Sequence, residues 1–436
     1  MLSIKTIFCI VAFTLTIDYS LSLISAQAYW ISTGGDKEFA GLIFGLYDAA
    51  TFIVIPILTR LISRGTTYKS IFIISLVINI IGNALYSLAD IENSWIMIMV
   101  GRIISGIGAS CLPLQMVYVT ENLEKDEQMQ TVGYIKYITA LSRILGPLIG
   151  SVLTISYYSE GILGKLFNMY TFVGWIPILL DIITIIIVMI YFVEVDNNKC
   201  IEITHFSYMY VFKKLAPILL LGFITTTIYW CYMGNAFIIA THHFHVINNK
   251  NELYRIYITG FFGFLLAFIL FLIKREIISG IGGLTTSTII LYIGMYIYLV
   301  VDDWGFYIAV GITTFAYGLM IPSLNIINNQ ISKEMKHIVG SSIAMVITSM
   351  TIVQSISRFC GPSIFTIFVN NVEQNDCNFE NQDEYITNGC ELTNYYIEST
   401  CYITVALILS LIGLKILNNQ LNDIEKNKVK ELKTNV

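Results

Sequence analysis

Long apolar runs separated by short polar stretches dominate this chain of 436 residues. A helix needs about 20 apolar residues to cross a bilayer, and backbone polar groups in lipid must be satisfied within their own segment. Each run therefore predicts a spanning helix rather than a strand. The twelve predicted spans are residues 4–28, 39–61, 68–89, 95–119, 130–156, 166–193, 215–240, 253–273, 280–301, 304–328, 338–369 and 396–418.

A break in the apolar pattern at residues 194–214 separates the first six predicted spans from the last six. Both halves are long enough to form a helical bundle of their own. The predicted parts are an N-terminal six-helix bundle (1–193), a cytosolic linker (194–214), a C-terminal six-helix bundle (215–418) and a cytosolic tail (419–436).

A hexapeptide occurs once in each half, deep inside an apolar run. Its copies are Ser142-Arg143-Ile144-Leu145-Gly146-Pro147 and Ser357-Arg358-Phe359-Cys360-Gly361-Pro362, which are 215 positions apart (357 − 142). This separation is about half the chain, as a tandem repeat of one helical unit requires. Duplicated units with polar groups near the bilayer midplane are typical of secondary transporters, so transport is the expected function.

Composition and charge agree with a membrane protein. Charged residues make up 13% of the chain, against about 25% in soluble domains, and the mean hydropathy is +0.71. Lys and Arg concentrate on one side of the predicted spans, which predicts an even number of spans with both termini in the cytosol. The run from Lys5 to Ala28 also resembles a signal peptide, but Asp18 within it and the even count favour a first spanning helix.

Glycine spacings in the fourth and fifth predicted spans resemble those of a known family. Arg102-x-x-x-Gly106-x-Gly108-Ala109 resembles the fourth-helix motif of the major facilitator superfamily, and Gly133, Ser142, Gly146-Pro147 and Gly150-Ser151 resemble its fifth-helix motif. Serine replaces glycine at 142 and 151. The resemblance implies an all-α membrane protein built from two pseudo-symmetric six-helix bundles. Small residues and prolines predict close packing or hinges at Gly106, Gly133, Gly146, Pro147, Gly150, Gly361 and Pro362.

Within this superfamily, the N-terminal half is most similar to the lysosomal membrane proteins of the neuronal ceroid lipofuscinosis group. The similarity lies in residues 101–109, 143–147 and 168–171. It implies a lysosomal or endosomal membrane, with the plasma membrane as the alternative. The loop at residues 59–65 departs from the superfamily pattern because only Arg64 matches and the usual aspartate is missing. The charge latch that this loop forms in relatives is therefore in doubt here.

Four charged residues of the first half are expected at a similar depth in the bilayer. Counting about 1.5 Å per residue places Asp18, Asp48, Arg102 and Arg143 slightly beyond the centre of the hydrocarbon layer. Buried charges are costly unless paired, so we predict a pair of Asp18 with Arg102 and an adjoining pair of Asp48 with Arg143. Protonation of Asp18 would release Arg102, which predicts proton coupling. A static pair that only fixes the helix register is the alternative.

The two arginines of the repeat, Arg143 and Arg358, predict a site for an anionic solute. Two guanidinium groups across a central cavity can hold a carboxylate or a phosphate. Alternatively, each arginine bonds backbone carbonyls freed by the adjacent Gly-Pro kink. Aromatic and amide side chains of two later spans fit a solute pocket, although ordinary helix packing explains them as well. These side chains are Tyr229, Trp230, Asn235, Tyr317 and Asn325.

Two further features have less specific interpretations. Asp181 in the sixth predicted span is expected at the periphery of the bundle. Cys377 and Cys390 lie in the longest exoplasmic loop, where a disulfide or a reduced pair fits the sequence equally.

The sequence therefore predicts a secondary transporter that moves a small polar, anionic solute by alternating access, coupled to protons. An anion channel on the same fold is the alternative. An enzyme is disfavoured because the sequence has no catalytic triad, metal-ligand spacing or phosphate loop, and neither a cofactor nor a metal is expected. The expected partners are a small-molecule solute, protons and the lipid bilayer. Nucleic acid is not expected as a partner, and the chain is expected to be a monomer.

Overall fold

The computed structural model describes residues 2–36, 39, 42–123, 127, most of 131–150, 161–194 except Met169, 208–233, 253–273, 280–300, 303–339, 349–361 and 402–422. The regular elements among these residues are helices. They are α1 (Ile4–Ser32), α2 (Leu42–Ser63), α3 (Tyr68–Leu88), α4 (Trp95–Ala109), α5 (Leu112–Asn122), α6 (Gly161–Leu166), α7 (Phe172–Tyr191), α8 (Tyr208–Met233), α9 (Leu253–Ile273), α10 (Ile281–Val300), α11 (Asp303–Val339), α12 (349–361) and α13 (Tyr402–Asn422). The described residues of segment 131–150 are also helical.

The helices follow the predicted apolar runs, and eight of those in the described residues are long and apolar enough to cross a membrane. The fourth run is divided, because α4 ends at Ala109 and α5 begins at Leu112 with Pro113 in its first turn. Proline has no backbone N–H to donate, so it suits the first turn of a helix, where that group would have no partner within the helix. The apolar pattern predicted one continuous helix here and missed this break.

Helix ends also differ from the ends of the apolar runs. α8 begins at Tyr208, although its apolar run begins at residue 215. α11 continues to Val339, well past the end of its run at residue 328. Hydropathy reports which residues can lie in lipid, whereas a helix can extend into the polar layer as long as its residues favour helix.

The helices form two groups, one in each half of the chain. In the first half, α3 packs against α4 and α7, α2 packs against α4, and α1 packs against α7. In the second half, α11 packs against α8, α9 and α10. Buried apolar residues form separate cores in the two halves, and Tyr19 and Tyr47 of the first half reach into the core of the second. The two groups therefore meet through aromatic side chains.

The two hexapeptide copies pack in the same way within their own halves. A Cβ added to Gly146 would overlap Ser20 of α1, and one added to Gly361 would lie 2.8 Å from the backbone oxygen of Thr227 in α8. Ser20 Oγ donates to the carbonyl of Ser142 (2.9 Å), and Ser357 Oγ donates to the carbonyl of Phe223 in α8 (3.2 Å). The serine hydrogen bond runs towards the hexapeptide in the first half and away from it in the second. Because α1 and α8 begin the two halves, the matched glycine contacts support an internal repeat.

Candidate functional site

A buried ion pair lies inside the first half. Nη1 of Arg102 in α4 is 3.5 Å from Oδ1 of Asp18 in α1, and the two side chains are 1% and 0% exposed. Two tyrosine rings face the same guanidinium, with Arg102 Cζ 4.5 Å from the ring centre of Tyr47 and 5.8 Å from that of Tyr86. We call Asp18–Arg102 the core pair. Its two residues are those that the depth count predicted to pair.

A second buried ion pair joins the two halves. Nε and Nη2 of Arg358 in α12 each lie 2.7 Å from Oδ1 of Asp48 in α2. The guanidinium also donates from Nη2 to Ser355 Oγ (3.1 Å) and has the ring of Tyr19 at 5.8 Å. We call Asp48–Arg358 the interface pair.

The interface pair corrects one prediction. Asp48 was expected to pair with Arg143, but it pairs with Arg358 instead. The prediction used depth along the membrane normal, and depth does not say which helix faces which. α2 faces the second half of the chain at this level, so the acid meets the arginine of the second hexapeptide copy. The alternative that Arg358 serves only backbone carbonyls is also excluded by this contact.

Arg143 belongs to the same region between the halves. Its guanidinium is close enough to interact electrostatically with Asp48, Arg358, Tyr19 and Tyr317. We call Asp48, Arg143 and Arg358 the interface cluster. Two arginines and one aspartate give the cluster a formal charge of +1.

The interface pair lies on the side of the membrane opposite the N-terminus. α1 crosses the bilayer once, so α2 begins on that opposite side, and Asp48 lies six residues after Leu42 (48 − 42), or about 9 Å into the helix. One turn earlier, a Cβ added to Gly45 would lie 2.7 Å from the ring of Phe359. α2 and α12 are therefore in direct contact on this side.

Three of the predicted solute-site residues form one aromatic group next to the interface cluster. The rings of Tyr229 and Tyr317 are stacked with centres 3.6 Å apart, and Trp230 Nε1 donates to the Tyr317 hydroxyl (3.1 Å). Trp230 also meets Tyr19 of the first half at 6.0 Å between ring centres. The amide of Asn325 donates instead to the Ile321 carbonyl of its own helix (2.8 Å).

A polar network missed by the sequence analysis lies beside the core pair. Asp181 of α7 is fully buried, so its expected peripheral position is wrong. It accepts a hydrogen bond from Asn79 Nδ2 of α3 (2.8 Å), and Asn79 and Asn83 both lie beside Asp18. Two amides spaced one helical turn apart in an apolar run were the signal that could have revealed this polar face.

The glycines expected at packing contacts lie where helices approach closely. A Cβ added to Gly106 would overlap the backbone oxygen of Tyr47, and Thr51 Oγ1 donates to the Gly106 carbonyl (2.9 Å). Gly150 is helical and buried. Several other predicted residues lie outside the described residues. They are Gly133, Pro147, Asn235, Pro362, Cys377 and Cys390.

Two helical groups with buried charges within and between them define a multi-pass membrane protein of the transporter type. The sequence profile of the Major Facilitator Superfamily matches residues 8–362, and the chain belongs to this family. The twelve-helix, two-bundle architecture of the family fits the described helices.

The similar proteins agree with this family. The chain is 26% identical over 183 residues to an uncharacterized protein of Schizosaccharomyces pombe. This match covers 40% of the chain and 36% of the yeast protein. The chain is also 25% identical over 188 residues to an uncharacterized MFS-type transporter of the same yeast. That match covers 41% of the chain and 37% of the transporter. The matched region thus spans a little more than a third of each relative.

Solved structures match nearly the whole chain in fold. A bacterial homolog of the human lysosomal transporter Spinster, in an inward-facing and unoccupied conformation, has a TM-score of 0.65 at 12% identity and covers 95% of this chain and 97% of its own. The human organic anion transporter MFSD10 has a TM-score of 0.66 at 12% identity, covering 95% and 98%. The nucleoside transporter NupG has a TM-score of 0.63 at 11% identity, covering 95% and 99%.

Proposed function

We propose that this protein is a secondary carrier that moves a small, polar, anionic solute by alternating access and couples this movement to protons. The observation that supports the proposal is the pair of buried ion pairs, one inside the first half and one between the halves. An ion pair between the halves must break when the bundles separate on that side. An ion pair within one half can instead respond to a proton.

The formal charge of the interface cluster supports an anionic solute. Asp48, Arg143 and Arg358 sum to +1, so two arginines share one carboxylate between the halves. An anion bound between Arg143 and Arg358 would supply the missing negative charge. Arginine suits this role because its planar fork binds carboxylate or phosphate through two hydrogen bonds. The likeness to the organic anion transporter MFSD10 is consistent with this class of solute.

The core pair supports proton coupling. Protonation of Asp18 removes its charge, so Arg102 loses its ionic partner and retains only the rings of Tyr47 and Tyr86. The arrangement that depends on the pair then becomes less favourable, and the population of the two arrangements changes. Arg102 and Asp18 thus form the proton-responsive element of the proposal.

The membrane in which the protein works is also a proposal. Residues 101–109, 143–147 and 168–171 resemble lysosomal proteins of the neuronal ceroid lipofuscinosis group, and this resemblance favours a lysosomal or endosomal membrane. The relatives matched over the chain are instead uncharacterized yeast proteins. We propose that the carrier works in a lysosomal or endosomal membrane as a monomer, with its termini in the cytosol.

Transport by the purified protein in proteoliposomes tests the proposal. Uptake of labelled carboxylates, phosphate, neutral sugars and nucleosides is measured with and without an imposed pH gradient. We expect saturable, gradient-driven uptake of one of the anions. Asp18→Asn should abolish the effect of the gradient and preserve exchange of labelled for unlabelled solute, whereas Asp36→Asn, which removes an exposed carboxylate, should behave as the parent protein.

Two results would contradict the proposal. Proton-driven uptake that persists in Asp18→Asn would remove the core pair from the coupling. Uptake restricted to neutral solutes would exclude the anion site. Because the excess positive charge between the halves also suits an anion channel, electrical recording is included. Unitary currents without counterflow would favour the channel.

A further inference from the structure

Among the described residues, two buried acids and one buried base share the interior of the first half. Asp18, Asp181 and Arg102 lie together in its interior with 0%, 0% and 1% exposure. Two aspartates and one arginine give a formal charge of −1. We call these three residues the core acid cluster. In a region with no access to water, an unbalanced carboxylate is strongly unfavourable, so a further positive charge or a proton is needed.

Hydrogen bonding shows where the missing group belongs. Asn79 donates to Asp181 Oδ2 (2.8 Å) and also lies beside Asp18, so its amide connects the two acids. Three buried oxygens of this group have no hydrogen-bond donor among the described residues. They are Asp18 Oδ2, Asp181 Oδ1 and Asn79 Oδ1. Three nitrogens beside Asp18 also have no hydrogen-bond partner among the described residues, namely Nδ2 of Asn83 and Nε and Nη2 of Arg102. Those nitrogens lie beside Asp18, whereas Asp181 accepts its hydrogen bond from Asn79 at Oδ2 alone. Since buried oxygens almost always accept or share a hydrogen, Asp181 Oδ1 is the oxygen at which a proton would fit.

The helices around Asp181 explain why a proton is the group required. Asp18 faces it from α1, Asn79 from α3, and the thiol of Cys111 from the turn between α4 and α5. None of these carries a positive charge. Arg102, the base of the cluster, is engaged with Asp18. One turn away, the hydroxyls of Thr14 and Thr184 bond each other at 2.9 Å, which closes the contact between α1 and α7.

We propose that Asp181 is a second proton-carrying carboxylate of this protein, and that it shares one proton with Asp18 across the Asn79 amide. With the proton on Asp181, ionised Asp18 pairs with Arg102. With the proton on Asp18, Arg102 is released and ionised Asp181 keeps the hydrogen bond from Asn79. Both states have no net charge, so the proton can change place without altering the net charge of the cluster. The part of this site in transport rests on the proposed function.

Infrared difference spectroscopy of the reconstituted protein tests the site without a solute. A step in pH changes the C=O stretching band of any protonated carboxylic acid. We expect a band from a buried carboxylic acid in the parent protein and its loss in Asp181→Asn. Asp36→Asn, the control with an exposed carboxylate, should keep the band. Asp181→Glu should restore the band at a shifted frequency. Melting temperatures of all variants show that they are folded.

Three outcomes would overturn the proposal. One is a band of unchanged amplitude in folded Asp181→Asn. Another is loss of the band in the parent when sodium chloride replaces choline chloride at constant pH, because the group would then be a sodium ion. The third is an absent band in the folded parent at every pH examined.

Flux in the same proteoliposomes separates this site from the proposed function. If uptake does not depend on the pH gradient but the band is lost in Asp181→Asn, the proposed proton site is supported and the proposed proton coupling is refuted. If uptake is proton-driven and Asp181→Asn changes neither the band nor the coupling, the site is wrong and the function stands.

Discussion

Replacing Asp48 with asparagine tests whether the interface pair holds the two halves together on the side of the membrane opposite the N-terminus. Asparagine has the size of aspartate, so the change removes the charge and little else. Arg358 would keep its hydrogen bond to Ser355 and its contact with the ring of Tyr19, but it would lose its ionic partner. The contacting arrangement of α2 and α12 should therefore become less stable.

The size of the effect follows from the burial of the pair. The side chains of Asp48 and Arg358 are only 1% and 11% exposed. Removing one partner of such a pair costs about 3–5 kcal/mol, because the other charge stays buried without compensation. Asparagine still offers one oxygen to the guanidinium, so we take about 3 kcal/mol. Because each 1.4 kcal/mol is a factor of about ten, the ratio of contacting to separated molecules should fall roughly 100-fold.

Distances between spin labels measure this ratio. Glu92, in the turn before α4, and Trp304, at the start of α11, are exposed residues on the same side of the membrane and in different halves. Labels at these two positions, introduced after the native cysteines are replaced, report how far apart the halves are. In Asp48→Asn the distribution should gain a longer distance that is minor or absent in the parent.

Asp36→Asn is the matched control, since it removes an exposed carboxylate in the first half and should leave the distribution unchanged. The reasoning fails if Asp48→Asn, folded and reconstituted, gives the parent distribution. In that case the interface pair would not contribute to the balance between the two arrangements.

Two other variants test the packing and the aromatic group. Gly361→Val should lower the melting temperature through a loss of about 1–3 kcal/mol, because the added atoms meet the backbone of Thr227. Gly282→Ala, with open space around its new Cβ, is the control, and equal melting temperatures would contradict the close contact. Trp230→Phe removes the donor to Tyr317 and should raise the KM of the transported solute roughly fivefold, as expected for about 1 kcal/mol. An unchanged KM would place this group outside the solute path.

In the part of the chain that the structure describes, hydropathy predicts where the spanning helices lie, because lipid imposes the same requirement on every crossing segment. It predicts neither the end of α11 at Val339 nor the division between α4 and α5, since both depend on local helix chemistry rather than on lipid. The repeat was also accessible from sequence. The two copies of the hexapeptide place Gly146 and Gly361 in equivalent contacts, because equal side chains at equal spacing pack in equal ways.

The charged residues were only partly predictable. The depth count brought Asp18 and Arg102 together but gave Asp48 the wrong arginine. Depth is one coordinate, whereas pairing also needs the rotation of each helix and the neighbour that it faces. Asp181 was misplaced for the same reason, because a single acid in an apolar run can face either lipid or the bundle. Its partner Asn79 was the informative residue, since an amide in lipid is also unfavourable when it has no hydrogen-bond partner.

The two charged clusters are linked by neighbouring residues on two helices. On α1, Asp18 faces Arg102 while Tyr19 faces Arg358; on α2, Tyr47 faces Arg102 while Asp48 holds Arg358. When a proton releases Arg102, its contact with the Tyr47 ring changes, and the next residue is the acid of the interface pair. These neighbouring positions connect the two ion pairs physically, whereas the strength of the coupling has to be measured. The Glu92–Trp304 distance in Asp18→Asn supplies that measurement, because a coupled core pair must change this distance although it lies wholly within one half.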